Sequence, residues 1–546
     1  TSAARWYGRC STRSIATFPT SADDVTSQHG YGSAVVTPHV LATQAGMEIL
    51  AAGGSAADAM VAADAVLGVV APETCGIGGD LFALVHQPDM GTPAVLNASG
   101  RAGAGVDPES LRAQGQESLP PFDPQTVTVP GCVDGWERLL ARFGNLEMER
   151  ILRPAIRLAS HGFPASVELS TALAARASTL AQQEAAVGLF PHGRAPTPGT
   201  RLHRPGLLAT LSEIAGGGSV AFYQGAAGAA IVEATGGIIT SQDLGAVAGD
   251  WVEPISVDVF GLTGWTVPPN SQGYLTLAAS SVFAQLEPPE DPEDIDSWHL
   301  AIEAYRAMAM DRDELVADSD SAPLPPVALV SPTRISARAA MVDRQRASSF
   351  AAPSPVPGGT AYLCAIDANG MGVSFIQSNF MGIGSGIGAG AGGFFLHNRG
   401  AGFNLRSDHP NCLAPGHRPL HTLSPSLWTR NGSLACLLGT RGGDYQPQLL
   451  LQMAVRLFHG GVEPGDAQSR PRWMIDQPPS ENSRVAIEPH TPTEMEEGLV
   501  KRGHLVSRRE ATQHGWGPVS VISVNEDGLR TAAADPRVAT ATAAVA

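Results

Sequence analysis

Gly358-Gly359-Thr360-Ala361-Tyr362-Leu363-Cys364-Ala365-Ile366-Asp367 is the stretch on which the reading of this chain turns. From Thr360 onward it alternates as a β-strand does. Ala368-Asn369-Gly370 reads as a hairpin turn, since Asn-Gly favours positive φ, and Val373-Ser-Phe-Ile-Gln-Ser378 as the returning strand. Upstream, residues 319–359 hold Ser321-Ala-Pro-Leu-Pro-Pro326 and the Pro/Ser/Gly run 348–359, which predicts an extended, mobile linker. A mobile linker feeding directly into a strand that begins with threonine is how a self-cleaving precursor would be built. A hydroxyl nucleophile needs a base. An N-terminal threonine carries one in its own α-amino group, whose pKa is about 7.7–8.0. To free that amine, Thr360 Oγ must attack the Gly359 carbonyl, and Gly358-Gly359 offers little steric resistance. Gly-Gly-Thr alone could equally just open a strand.

Working towards the N-terminus, Ser33–Val36 reads as a short strand. Val40, Ala42, Ala45, Ile49 and Leu50 recur at helical spacing, and Gly53-Gly54 ends that helix. Ser55 with Asp58 three residues on reads as a capping box opening an Ala-rich helix to about Leu67. Leu81–His86 and Ala94–Asn97 read as strands. Val129–Gly135 reads as a turn before a helix near Trp136, and residues 151–300 as mostly helical.

The composition removes several function classes. The net charge is −17, with no basic patch for nucleic acid. The single lysine, Lys501, rules out a P-loop. The six cysteines contain no C-x-x-C pair and no H-E-x-x-H occurs, so neither a zinc site nor a disulfide framework is expected. Residues 1–20 lack the apolar core of a signal peptide and no stretch is long enough to span a membrane, so the expectation is a cytoplasmic protein without a membrane partner. The run Gly382–Gly393 contains a G-x-G-x-x-G match. It does not follow a strand and open a helix, so a glycine-rich loop near the active site is expected, not a nucleotide site. No G-x-S-x-G elbow is present, and His397, His417 and His421 read as structural or pocket-lining.

Ala42-Thr-Gln-Ala-Gly46, Gly53–Asp58, Gly76-Ile-Gly-Gly79, Val129-Pro-Gly131, Arg153–Ala159, Gly-Gly-Thr360, Pro415-Gly-His-Arg-Pro-Leu420, Ser424-Pro425, Gly442-Gly443 and Asp535-Pro-Arg537 follow in an order that resembles the γ-glutamyltransferase family of N-terminal-nucleophile hydrolases. The resemblance implies an α/β fold, a four-layer αββα sandwich. It also implies a cut between Gly359 and Thr360 into a large subunit, 1–359, and a small subunit, 360–546. Thr360 would be the nucleophile, Ser378 the hydroxyl bonded to it, and Gly442 and Gly443 the oxyanion-hole pair. Arg101 matches the arginine that holds the substrate carboxylate, as a guanidinium fork suits. The family asparagine after Ser378 falls on Phe380, with Asn379 adjacent. No metal or cofactor is implied, and the only partners are the two subunits and a small amide.

The pocket segment departs from the family. In Leu396-His-Asn-Arg399-Gly-Ala-Gly402-Phe403, Arg399 replaces a polar neutral or acidic residue, and Gly402 replaces the acid that binds the γ-glutamyl amino group. His421-Thr422 replaces the paired serines. A pocket with Arg399 and no carboxylate disfavours an ammonium, so glutaryl-type acyl amides are expected over γ-glutamyl ones. That resembles the cephalosporin acylase branch, which removes a glutaryl side chain from a 7-aminocephalosporanic nucleus. The alternatives are a true γ-glutamyltransferase or glutathione hydrolase, and an uncleaved scaffold without activity.

Overall fold

The computed structural model describes residues 27–350, 358–476, 484–510 and 516–546. The expectations for residues 1–20, Cys10 and the Pro-rich run 351–357 lie outside these. Period-2 alternation decides the architecture. In the strand Gly359–Ile366, Ala361, Leu363 and Ala365 face one hydrophobic layer, while Tyr362, Cys364 and Ile366 face another. A strand with two apolar faces must be covered on both.

One seven-stranded antiparallel sheet runs, in spatial order, Thr542–Val545, Ala34–Thr37, Gly359–Ile366, Gly372–Phe380, Asp80–His86, Ala94–Ala98 and Asp250–Val252. A second runs Gln28–Gly30, Arg530–Ala534, Val519–Val524, Ser433–Thr440, Ser426–Arg430, Leu262–Thr266 and Ile255–Val259. Side chains of both, among them Phe82, Tyr362, Leu427 and Ile522, fill the layer between them. Helices including Ala56–Val70 cover the first sheet, and Tyr274–Gln285 and Gln446–Ala454 cover the second. The fold is therefore the expected four-layer αββα sandwich. Both sheets mix strands from either side of residue 359, so the proposed halves are one intertwined body.

The capping box forms: Asp58 N donates to Ser55 Oγ at 3.2 Å and Ser55 N to Asp58 Oδ2 at 2.7 Å. Its helix runs to Val70, three residues past the expected end. Three expectations are corrected. The helix expected near Trp136 begins at Cys132. Residues 151–300 include five strands, the two-residue pair Phe163–Pro164 and Arg201–Leu202 and those at 250–252, 255–259 and 262–266. The last two pair with each other as a hairpin, and Leu262–Thr266 is held on its other side by Ser426–Arg430, a strand distant in sequence. The segment 319–350 is not simply extended: Pro326–Val330 forms a 3₁₀ turn and Pro332–Ala339 a helix. There proline at the first helical position pre-sets φ and starts a helix instead of preventing one. Among the described residues the cysteines are free, no group of His, Cys, Asp and Glu is placed to hold a metal, and no helix is long and apolar enough to cross a membrane.

Candidate active site

Register brings the first residues together. Ser378 pairs directly with Asp80 across neighbouring strands. The pairing of 359–366 with 372–380 slips by one residue between Gly359 and Ala361. The extra residue is on the returning strand, where Ser378 and Asn379 lie opposite the single Thr360, and a bulge re-aims the side chains it carries. Thr360 Oγ1 donates to Ser378 Oγ at 3.1 Å, and Ser378 Oγ donates to the Gly359 carbonyl at 2.6 Å. Phe380 N adds a bond to Ser378 Oγ at 2.8 Å. One hydroxyl thus bridges the Thr360 oxygen and the carbonyl oxygen of the peptide before it.

The second sheet delivers Gly442 and Gly443 just past its strand Ser433–Thr440. Their φ angles, 129° and 58°, lie where side chains are disfavoured. A Cβ built on Gly358 would lie 3.2 Å from Gly443 Cα and 3.4 Å from its N, so the chain before the junction passes over this pair. On the other side lies Glu73, whose carbonyl oxygen is 2.7 Å from where a Gly359 Cβ would be. Burial, reinforced by Glu168, pushes the Glu73 carboxyl up to about 8 against Arg441 and Arg204.

Beneath Ser378 lies a buried charged cluster. Arg399 donates from Nη2 to Ser378 Oγ at 3.3 Å and from Nη1 to Thr422 Oγ1 at 3.1 Å. Its Nε is 3.9 Å from Asp80 Oδ2, and the Phe380 ring stacks 3.9 Å from its guanidinium carbon. His421 Nε2 lies 3.0 Å from Asp80 Oδ2, and Gly100 N donates to Oδ1 at 2.9 Å. Leu423 N donates to His421 Nδ1 at 3.3 Å, which leaves the proton on Nε2. Burial first, then Arg399, lowers His421 to about 3, so its ring is neutral. Burial opposes ionisation of Asp80, yet His397 and His421 hold it below the usual carboxylate range.

In front of Phe380 opens a cavity of about 200 Å³. Phe380, Gly402, Thr422, Arg312, Asp313 and Asp444 are on its wall. Arg312 donates to Asp444 at 2.5 Å, to Asp313 at 2.8 Å and to Gln272 at 2.8 Å.

This arrangement corrects the expected pocket in three ways. Arg399 is fully buried, and the short turn Arg399–Gly402 directs it beneath Phe380, away from the cavity. The cavity does hold carboxylates, Asp313 and Asp444, which the pocket segment alone could not disclose. Arg101 is not on this wall; its Nη1 donates to Asp318 Oδ2 at 3.0 Å and to the Gly416 carbonyl at 2.9 Å. Asn379 turns away, its Nδ2 3.5 Å from the Pro72 carbonyl. Thr360, Ser378, Gly442 and Gly443 converge on one junction, and Gly402 and Thr422 reach the cavity. Sequence reasoning passed over Asp80, Glu73, Arg312 and Asp444. Two had a visible signal: Asp80 is an acid immediately before an apolar strand, and Asp444 directly follows Gly442-Gly443.

The glycine-rich run packs against the helical layer, with Gln183 Nε2 donating to the Gly386 carbonyl at 2.7 Å and Gly388 N returning a bond to Gln183 Oε1 at 2.8 Å. It is a loop leading to His397, not a strand-to-helix phosphate turn.

The profile of the gamma-glutamyltranspeptidase family matches residues 42–545, nearly the whole chain. The chain belongs to that family. It is 34% identical over 516 residues to the glutathione hydrolase-like YwrD proenzyme of Bacillus subtilis, covering 92% of this chain and 96% of that one. It is 32% identical over 522 residues to the oxamate amidohydrolase proenzyme of Klebsiella pneumoniae, covering 94% and 97%. The crystal structure of a cephalosporin acylase from Bacillus halodurans superposes with a TM-score of 0.90 at 32% identity, covering 98% of this chain and 99% of that chain. This gamma-glutamyltranspeptidase-family chain is thus similar over nearly its full length to a glutathione hydrolase-like protein, an amidohydrolase and an acylase, the first two named as proenzymes.

Proposed function

We propose that the chain is an autoprocessing amidohydrolase that cuts itself between Gly359 and Thr360 and then uses Thr360 as its N-terminal nucleophile. The observation that carries this is the bond chain Thr360 Oγ1–Ser378 Oγ–Gly359 O across that peptide. In self-cleavage Thr360 Oγ forms a bond to the Gly359 carbonyl carbon and passes its proton to Ser378. Ser378 passes its own to the carbonyl oxygen. Collapse breaks the Gly359 C–N bond, the proton leaves that oxygen and the Thr360 nitrogen gains one, giving an ester and a free amine. Water then hydrolyses the ester. In turnover the freed amine serves as base, and the Gly442 and Gly443 N–H groups hold the oxyanion. The amine product departs, and water or an acceptor amine resolves the acyl-enzyme.

For substrate, we take an amide whose acyl chain ends in a carboxylate, a glutaryl-type side chain of a cephalosporin amide being the first choice. Arg312 is the cation on the cavity wall and would have to exchange Asp313 or Asp444 for that carboxylate, as Arg101 would have to exchange Asp318. A specific observation favours the second reading, γ-glutamyl hydrolysis or transfer. Asp313 and Asp444 line the same cavity and are of the right sign for an α-ammonium. Comparing glutaryl- and γ-glutamyl-anilides on the processed enzyme decides between the two. Clear preference for the γ-glutamyl compound overturns the glutaryl assignment. N-terminal sequencing of the small fragment tests the cut, with threonine as the expected first residue.

A further inference from the structure

We infer that Asp80 and Arg399 are positioning residues: their buried ion pair fixes the Ser378 hydroxyl, and through it Thr360, for bond making. The inference rests on the function proposed above.

Ser378 Oγ has one proton and two lone pairs. Its proton goes to the Gly359 carbonyl, while Thr360 Oγ1, Phe380 N and Arg399 Nη2 all approach the same oxygen. Three donors crowd the lone pairs, so the hydroxyl has a single satisfying direction for its proton, towards Gly359. Without Arg399, Thr360 Oγ1 and Phe380 N would still occupy both lone pairs; what Arg399 adds is a positive charge against the oxygen that relays the proton, and a tie from that oxygen to Thr422.

Arg399 is held at both terminal nitrogens, while its buried Nε has no hydrogen-bond partner. One terminal nitrogen bonds Ser378 and the other Thr422, a planar fork spanning two hydroxyls. Phe380 covers its face, at a backbone φ of 72° that is uncommon for a bulky residue. A buried guanidinium requires a counter-charge. Burial lowers Arg399 to about 10, with Asp80 and then Asp444 opposing that fall. Asp80 is the acid beside it, its Oδ2 3.9 Å from Nε, an ion pair without a hydrogen bond, set by strand register directly beside Ser378. The remaining contacts of Asp80 pin it in turn: Gly100 N and His421 at 2.9 and 3.0 Å, and His397 Nδ1 at 3.4 Å. His397 is held from behind, its Nε2 2.8 Å from the Thr128 carbonyl. Neither charge reaches the cavity wall, so neither is placed to touch a substrate.

The test uses the full-length chain. Self-cleavage is timed by fragment appearance on denaturing gels, kcat and KM are measured on processed enzyme, and folding is followed by the thermal midpoint. Asp80→Asn and Arg399→Gln should each slow self-cleavage and lower kcat on the order of 10- to 100-fold, with KM within about twofold. The double variant should be no slower than the worse single variant, because the two act as one unit. Arg399→Lys, which keeps the charge but cannot fork onto Ser378 and Thr422 together, should lose at least about tenfold in kcat. If Asp80→Asn does not fold, Arg399→Lys carries the test alone. Wild-type kcat in Arg399→Lys, losses that multiply in the double variant, or a raised KM with unchanged kcat would each overturn the positioning role while leaving the self-cleavage reading standing. A wild-type chain that never cleaves overturns the function first, and this inference with it.

Discussion

The wall that carries Thr360 and the wall that faces the cavity are built in different ways. The first comes from three adjacent strands of one sheet, with Thr360, Ser378 and Asp80 on neighbouring positions. Its polar atoms are buried and bonded to one another before any substrate arrives. The second is assembled from the short helix Arg312–Leu315, the turn after Gly443 and the 399–411 loop, elements far apart in the chain. Its guanidinium, Arg312, is shared by two carboxylates, Asp313 and Asp444, at the edge of open space. Bond-making groups gain from fixed geometry. Groups that select a substrate can trade partners with it, and loops allow that.

The contrast can be broken most severely at the first wall. Thr360→Ala should remain a single chain on a denaturing gel, with amide hydrolysis down on the order of 10⁴-fold or more. Normal fragment formation by that variant would remove the nucleophile assignment. At the second wall, Arg312→Ala should cost on the order of 3 kcal/mol by urea unfolding, because it strips a buried carboxylate, Asp444, of its cation. It should also change the ratio of glutaryl to γ-glutamyl turnover, and an unchanged ratio would take Arg312 out of substrate selection.

Gly402→Ala should have a milder effect. The added Cβ would lie 2.7 Å from the Leu420 carbonyl oxygen, for a cost of about 1–3 kcal/mol and a raised KM. The same contact explains why the family's acid cannot simply be restored at Gly402. An effect seen only as a pH dependence is expected from Glu73, whose folded pKa of about 8 exceeds the ordinary 4.5. Its contribution to stability is complete below pH 4.5. It is lost as pH rises towards 8, because the unfolded chain ionises first. In a Thr360→Ala background, which keeps one species, Glu73→Gln should flatten the fall in urea midpoint between pH 5 and 8. The smallest change belongs to Ser55→Ala, in a helix cap away from both walls. It should cost about 1 kcal/mol of stability and leave kcat unchanged.

Much of the first wall was legible because it is written in local pattern. Alternation placed Thr360 at a strand end, Asn-Gly turned the chain, and the returning strand set Ser378 beside it. The second wall was not. Arg399, beside the pocket segment in sequence, was expected in the pocket, yet it points beneath Phe380. Arg312 and Asp444, 132 positions apart, meet on the cavity wall with no local signal that they would. Two of the three strands within 250–266 were hidden for a related reason, since Asp250–Val252 pairs with Ala94–Ala98 and Leu262–Thr266 with Ser426–Arg430, far away in the chain.

The sequence by itself determined the alternating strand from Thr360, the hairpin to Ser378, the helix caps and, through ordered motifs, the family and its four layers. These follow from side-chain period and turn chemistry, which act over a few residues. Tertiary structure alone decided that Arg399 bonds Ser378 beneath Phe380 instead of lining the cavity, that Asp80 lies beside it, and that the cavity carries both signs of charge. Those outcomes depend on which buried charge meets which partner across two packed sheets. That pairing is set by long-range register and desolvation, neither of which leaves a periodic trace in the chain.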